Sequence, residues 1–320
     1  MESNKKVLII GGLGFIGKNL YLHLSKMGIT VHILSNVPLK KSDPFNEVFT
    51  PSDLIIGDIL DHGLIDSIIP EYDYVFYFAA LSGAAESINR PMKDMNVNLG
   101  GVLTLLNSCK EHNPGIQIFF PSSRLVFGKP LANPVSEDHP FNPESIYAIH
   151  KLTAEYYFLL YHRLYNLNVI ILRISNVYGP YQNPGQQSYG ILNRFIYQGL
   201  NGEELTLFGD GKQIRDFLYI EDLMKLYEIL LDKLSLAGNI YNIGYGKGKS
   251  LYEIIGTIKE VLPDLSYTFI PWPKTEKKIE TGDYVSDISL VKEDIQWEPT
   301  VSFKEGIRST AEFYKRFYFQ

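Results

Sequence analysis

The sequence predicts an α/β protein built on a doubly wound parallel sheet, with a smaller mixed α/β lobe following it. Three observations carry that prediction. Short apolar runs alternate with amphipathic helical patterns through the first half of the chain. The first run leads at once into a glycine-rich turn and a helix. After residue 177 the alternation gives way to shorter, mixed elements.

The first run, residues 7–10, is apolar at every position, as a strand buried on both faces requires. Glycines follow at 11, 12, 14 and 17, and a helical pattern then carries Leu20, Leu24 and Met27 inward. Strand, turn and helix in that order gather free backbone N–H groups at the positive end of a helix dipole. Glycine lets a pyrophosphate approach that backbone with no Cβ in the way. Gly12, Gly14 and Gly17 satisfy G-x-G-x-x-G, and Gly11, Gly14 and Gly17 satisfy G-x-x-G-x-x-G. Between such a strand and such a helix, the stretch predicts nucleotide binding.

Further strands are predicted at residues 30–34, 54–56, 74–78, 116–120 and 169–172, with helices between them such as 98–112 and 144–165. Crossovers in such a sheet are right-handed, and ligands lie beyond the carboxyl ends of the strands. Past Arg173 comes a Gly/Pro/Gln/Asn-rich loop, residues 178–189, and then short elements at 205–208, 241–243 and 267–270. The chain divides into a dinucleotide-binding unit, 1–177, and a smaller lobe, 178–320, with some segments returning to the first unit.

Bulk properties bound the function. With 320 residues, 45% hydrophobic and 21% charged, the chain has the make-up of an ordinary globular protein. A net charge of −6 argues against a nucleic-acid surface, which favours a basic footprint. Cys109 is the sole cysteine, so no internal disulfide forms. No apolar run reaches membrane-spanning length. Residues 7–16 are apolar, but Lys18 and the helix after it do not suit a secretory signal, and the expected location is the cytoplasm. His139, His150 and His162 lack the spacing of a metal site.

Tyr147 and Lys151 sit four apart in a helical pattern, so phenol and ammonium share a face. A cation there favours phenolate and equips Tyr147 as a general base on an alcohol or sugar hydroxyl. Taken alone, the pair also reads as a helix-face aromatic beside a solvated lysine. The strand at 116–120 delivers Ser122 and Ser123 to its carboxyl end, where a hydroxyl can hold a reacting oxygen. Those serines can equally serve as turn or capping residues. The apolar run 156–161 is too wide for one buried face and reads as core from two sides, or half core and half dimer seam.

At these residues the sequence resembles the extended short-chain dehydrogenase/reductase family, the NAD(P)-dependent nucleotide-sugar epimerases, dehydratases and reductases. The likeness runs from Lys6 to about residue 310 through segments 11–17, 57–59, 79–80, 98, 122–128, 147–151, 172–173 with 176–180, 215–217 and 241–244. It implies a Rossmann-type sheet and a catalytic triad of Ser123, Tyr147 and Lys151, with Lys151 also on the nicotinamide ribose. It implies cofactor contacts from Gly11, Gly14, Phe15, Ile16, Gly17, Ser35, Ala79 and Ala80, from Asp58 and Ile59 at the adenine, and from Asn98 near the phosphates and nicotinamide. Substrate contacts are expected from Ser123, Arg124, Asn176, Phe208 and Arg215, with Asn176 and Arg215 on the diphosphate of a nucleoside-diphosphate sugar. A homodimer paired through the helices at 98–112 and 144–165 is also expected.

Departures from the family pattern sharpen the reading. Ser35 ends the second strand where NAD-selective members place an aspartate, and Lys40 and Lys41 follow, which points to NADP ahead of NAD unless Ser35 is a plain loop residue. Tyr77 stands where relatives carry His. Arg124 and Leu125 follow Ser123 where the dehydratases carry Asp-Glu, which argues against a dehydratase. Glu280 precedes Gly282-Asp283 where an arginine is usual. The expected function is a C4 epimerase of a nucleoside-diphosphate hexose acting through a transient 4-ketose. The alternative is an NADPH-dependent 4-keto-6-deoxyhexose reductase. An idle nucleotide sensor fits worst, because it has no need of the Ser-Tyr-Lys set.

Overall fold

The computed structural model describes residues 5–185 and 190–319. The end of the expected loop at 178–189, residues 186–189, lies outside them. The apolar runs become parallel strands: β1 (Lys6–Ile10), β2 (Thr30–Ser35), β3 (Leu54–Ile56), β4 (Tyr74–Tyr77), β5 (Gln117–Ser123) and β6 (Asn168–Ile174). With β11 (Ile240–Ile243) they form one seven-stranded sheet of order β3-β2-β1-β4-β5-β6-β11, parallel throughout. The chain therefore folds as a Rossmann-like α/β sheet. The order reverses between β1 and β4, and such a switch point opens the crevice in which ligands of doubly wound sheets lie.

Alternate residues of each strand feed opposite faces. Val7, Ile9, Val31, Ile33, Phe76, Phe119 and Ile170 pack on one side, with Leu20 and Leu24 of α1 (Phe15–Lys26) and Leu223 and Tyr227 of α8 (Ile220–Leu230). Leu8, Ile10, Val75, Tyr77, Ile118, Phe120 and Ile171 pack on the other, with Leu105 of α5 (Gly101–His112) and Phe158 of α6 (Ile146–Tyr165). Helices on both faces explain why these strands read as continuous apolar runs.

Of the expected boundaries that move, three bear on the site. β5 runs past Pro121 to Ser123, in register with β6 as far as Ser123 opposite Ile174. Proline gives no N–H to the ladder, but the pairing with β6 continues through it, so the strand holds both serines itself, and the Pro121 carbonyl accepts from Lys151 Nζ at 2.9 Å. The helix expected from residue 98 is preceded by a widened π-helical turn, Asn96–Gly100, and α5 proper starts at Gly101. α6 starts at Ile146, where the Ser145 side chain accepts from Ala148 N–H, and ends at Asn166 in the left-handed conformation.

Beyond β6 the chain also forms two-stranded pairs: β7 (Asn176–Tyr178) with β10 (Phe217–Tyr219), β8 (Leu205–Phe208) with β13 (Tyr267–Ile270), and β9 (Ile214–Arg215) with β12 (Lys249–Ser250). Helices α7 (Ile191–Leu200), α9 (Leu251–Val261) and α12 (Phe303–Tyr318) cover them. β11 lies within the span 178–320 and pairs with β6 of the seven-stranded sheet. Among the described residues, no helix is long and apolar enough to cross a membrane.

Candidate active site

The carboxyl ends of β1 to β6, or the residues just after them, border one cavity of about 920 Å³. Gly11, Gly14, Phe15, Ile16 and Gly17 line it beside β1. Gly11 has φ +79°, and a Cβ there would stand 2.6 Å from Ala79 N. A Cβ on Gly17 would come within 2.5 Å of Gly12 Cα. Gly14 caps α1 without any side-chain hydrogen bond, so no described side chain caps the helix N-terminus on the cavity side. A turn that admits no side chain, ending on an open helix terminus, fits the pyrophosphate of a dinucleotide.

Ser35, Asp58 and Ile59 line the cavity at the β2–β3 side, and Ala79 and Ala80 after β4. The Ser35 hydroxyl donates to the Val37 carbonyl at 2.9 Å and accepts from Val37 N–H, closing a small turn. Asn36 Nδ2 reaches Asp58 Oδ2 at 3.3 Å. Lys40 and Lys41 are exposed and are not among the residues that line the cavity.

At the β5–β6 side, Ser123, Tyr147 and Lys151 line the same cavity. Tyr147 lies in the first turn of α6 and Lys151 one turn further, its Nζ 5.9 Å from the phenol ring centroid. Lys151 is buried among Phe120, Pro121 and the sheet, and this burial pulls its pKa down to about 8, against the pull of Glu155 and Asp94. Ser123 Oγ accepts from Leu125 N–H, so it caps a short turn, yet its own O–H remains to donate. Ser122 instead donates to Glu155, which is buried and held by Arg173 at 2.8 and 3.2 Å.

Asn98 and Phe208 are not among the cavity-lining residues. Asn98 accepts from Leu81 N–H at 2.9 Å, donates to the Leu81 carbonyl, and donates to Asp94, which also meets His150 Nδ1 at 2.6 Å. The widened turn points this amide at the β4 loop, so Asn98 holds a residue of the cavity wall instead of forming it. Phe208 ends β8 against Trp272, with ring centroids 5.6 Å apart. Tyr77 packs into the core under α5 and α6, its hydroxyl without a hydrogen-bond partner among the described residues.

Asn176, Arg215 and Arg124 do line the cavity. Asn176 Nδ2 donates to the Asp216 carbonyl at 3.1 Å. Arg215 donates to the carbonyls of Ile214 and Gly282, each at 2.9 Å, and pairs with Glu280. Arg194 and Glu280 are cavity residues that sequence reasoning did not assign as binding residues. Arg194 carries a visible signal, a cation beside Leu192, Phe195 and Ile196 on the buried face of α7, where burial lowers its pKa. Glu280 had no local signal, since its partner is 65 residues away.

The sequence model of the NAD dependent epimerase/dehydratase family matches residues 7–244. The chain belongs to that family. A putative UDP-glucose 4-epimerase of Methanocaldococcus jannaschii is 32% identical over 311 residues, covering 97% of this chain and 98% of its own. The UDP-N-acetylglucosamine 4-epimerase of Methanobrevibacter ruminantium, solved with UDP-N-acetylmuramic acid, superposes with a TM-score of 0.88 at 29% identity, covering 98% of this chain and 99% of that one. The UDP-glucose 4-epimerase of Thermus thermophilus, solved with NAD, gives 0.84 at 28% identity, covering 97% and 99%. As a family member the chain is an enzyme of the extended short-chain dehydrogenase/reductase type, and the family's cofactor is NAD. Among the described residues, no group of histidine, cysteine and carboxylate side chains could hold a metal.

Proposed function

We propose that the enzyme epimerises a nucleoside-diphosphate hexose at C4 through a transient 4-ketose. The observation that carries this is the joint lining of one cavity by the glycine turn and by Ser123, Tyr147 and Lys151, with no carboxylate at positions 124 and 125. NAD would be held by Gly11, Gly14, Phe15, Ile16 and Gly17 at its pyrophosphate, by Asp58 and Ile59 at its adenine, and by Lys151 and Tyr147 at its nicotinamide end. When bound, the nicotinamide ring supplies a hydride acceptor and donor. Tyr147 takes the proton of the C4 hydroxyl and gives it back, and the buried Lys151 cation favours the phenolate this needs. Ser123 donates its O–H to the same oxygen and fixes the distance of transfer. Without a carboxylate after Ser123, elimination across C5–C6 lacks its acid and base.

The lobe at 178–320 is read as the sugar-nucleotide lobe. Arg215, Arg194 and Asn176 would grip the diphosphate and leave the hexose ring free to turn over. The UDP-sugar activities for which the relatives are named support uridine as the base. Asp58 beside Asn36, with Lys40 and Lys41 outside the cavity lining, supports NAD ahead of NADP. A homodimer through α5 and α6 is part of the proposal.

The test is incubation of purified protein with UDP- and dTDP-hexoses, with no added cofactor, followed by proton NMR of the C4 configuration. Interconversion of gluco and galacto forms is expected. The second reading, an NADPH-dependent reductase of a 4-keto-6-deoxyhexose nucleotide, draws on the uncharged Ser35. It takes over if NMR shows no interconversion and NADPH is consumed in step with the keto sugar.

A further inference from the structure

Arg124 directly follows Ser123 and lines the reaction side of the cavity, yet it is only 8% exposed. Its guanidinium lies 5.0 Å from the Tyr284 ring centroid, and Nη1 donates to Thr281 Oγ1 at 3.1 Å. A guanidinium carries several N–H donors in a planar fork, and Thr281 uses a single one. Among the described residues, no carboxylate forms an ion pair with it. The two nearby acids are taken. Glu280 accepts from Arg215 and from Gly282 N–H, and Asp216 accepts from the N–H groups of Tyr245, Gly246 and Ser286. Burial and the neighbouring charge of Arg215 pull the pKa of Arg124 down to about 10, which still leaves it a cation at neutral pH.

A buried cation with no counter-ion is costly unless something pairs with it. A strut between Tyr284 and Thr281 needs packing and one donor, and a neutral side chain of similar length supplies both. A guanidinium left with free donors beside a cavity is instead arranged for a planar oxyanion, carboxylate or phosphate, which it can meet through two parallel bonds.

We propose that Arg124 forms an oxyanion subsite of the substrate pocket, pairing its unused N–H groups with a carboxylate or phosphate of the bound nucleotide sugar. The inference deepens the epimerase reading and rests on it for the ligand class. Proximity to Ser123 puts this subsite next to the hexose, which makes a hexuronate carboxylate the first source and the sugar-proximal phosphate the second.

Calorimetry on the purified enzyme with UDP-glucuronate, UDP-glucose and UDP tests it, using wild type, R124Q and R124K. R124Q should weaken at least one of the three by roughly tenfold or more, as losing a charged bidentate pair does. Loss confined to UDP-glucuronate supports the subsite and assigns it to a hexose carboxylate. Loss common to all three also supports it and assigns it to phosphate. R124K should fall between, because it keeps the charge and not the fork. Binding of all three ligands by R124Q within twofold of wild type, with its melting temperature and NAD binding intact, overturns the proposal. If R124Q does not fold, wild-type affinity of R124K for all three ligands overturns it equally. Affinity is read without turnover, so absence of C4 interconversion by NMR would fail the epimerase reading and leave these ratios standing. If no uridine ligand binds wild type, the ligand class falls and this inference with it.

Discussion

Tyr147 is the residue on which the proposed chemistry turns. Tyr147→Phe is expected to cut turnover by roughly two orders of magnitude or more, a usual general-base contribution. Binding of NAD, measured by fluorescence titration, should fall far less than turnover, because the pyrophosphate contacts at the glycine turn remain. Lys151 carries the pH dependence. Its ordinary pKa of 10.5 falls to about 8 in the folded protein through burial. Between those values the unfolded chain binds a proton that the folded chain lacks, so this group makes stability rise with pH across that window. Below about pH 8 the folded state bears a buried cation. Lys151→Met should therefore melt higher than wild type at about pH 7, with the gap closing as pH rises through 8 toward 10. Calorimetric scans across that range check it, and a gap that widens would contradict the burial argument. Activity should fall over the same rise, as the cation that favours phenolate is lost.

At the scale of elements, the position of α6 decides where Tyr147 and Lys151 stand. Glu155, one turn beyond Lys151, is 1% exposed and joins three elements, since it accepts from Ser122 of β5 and from Arg173 of β6. Arg173 also donates to the Glu137 carbonyl at 2.9 Å and lies over Phe127 and Phe141. Breaking such a buried pair leaves an uncompensated charge, at a cost of about 3–5 kcal/mol. Glu155→Gln is expected to lower the urea midpoint by a matching amount. A double variant, Glu155→Gln with Arg173→Met, should recover part of it. Equal midpoints for wild type and Glu155→Gln would show that the pair does not hold α6 to the sheet.

For the whole molecule, the run 156–161 divides as its breadth suggested. Phe158 is in the core, while Ile149 (47% exposed), Tyr156 (56%) and Leu164 (60%) open to solvent on α6. An apolar stripe of this kind on a helix suits a second copy of the chain. Sedimentation equilibrium should give a dimer near 73 kDa, about twice the chain's 36.5 kDa. Tyr156→Glu with Leu164→Glu should shift it to monomer without unfolding. A wild-type monomer at micromolar concentration would remove the dimer from the proposal.

Much of this molecule is legible in its sequence. The parallel sheet followed from apolar runs at residues 7–10, 30–34 and 54–56, because a strand buried on both faces leaves a local mark. The glycine turn and the Tyr-x-x-x-Lys spacing are local too, and both line the cavity. What sequence could not decide depended on partners distant along the chain. Asn98 turned from the cavity wall because a π-helical turn aimed its amide at Leu81, and no helical periodicity encodes that. β5 outran Pro121 because its ladder with β6, a strand that comes about fifty residues later, continues as far as Ser123 opposite Ile174. Arg215 found Glu280 across 65 residues, and Arg124 was left without an acid partner among the described residues. Local order is written in neighbouring residues, where periodicity and backbone sterics act. Charge pairing across a site depends on distance in space, and that was decided only when the chain closed on itself.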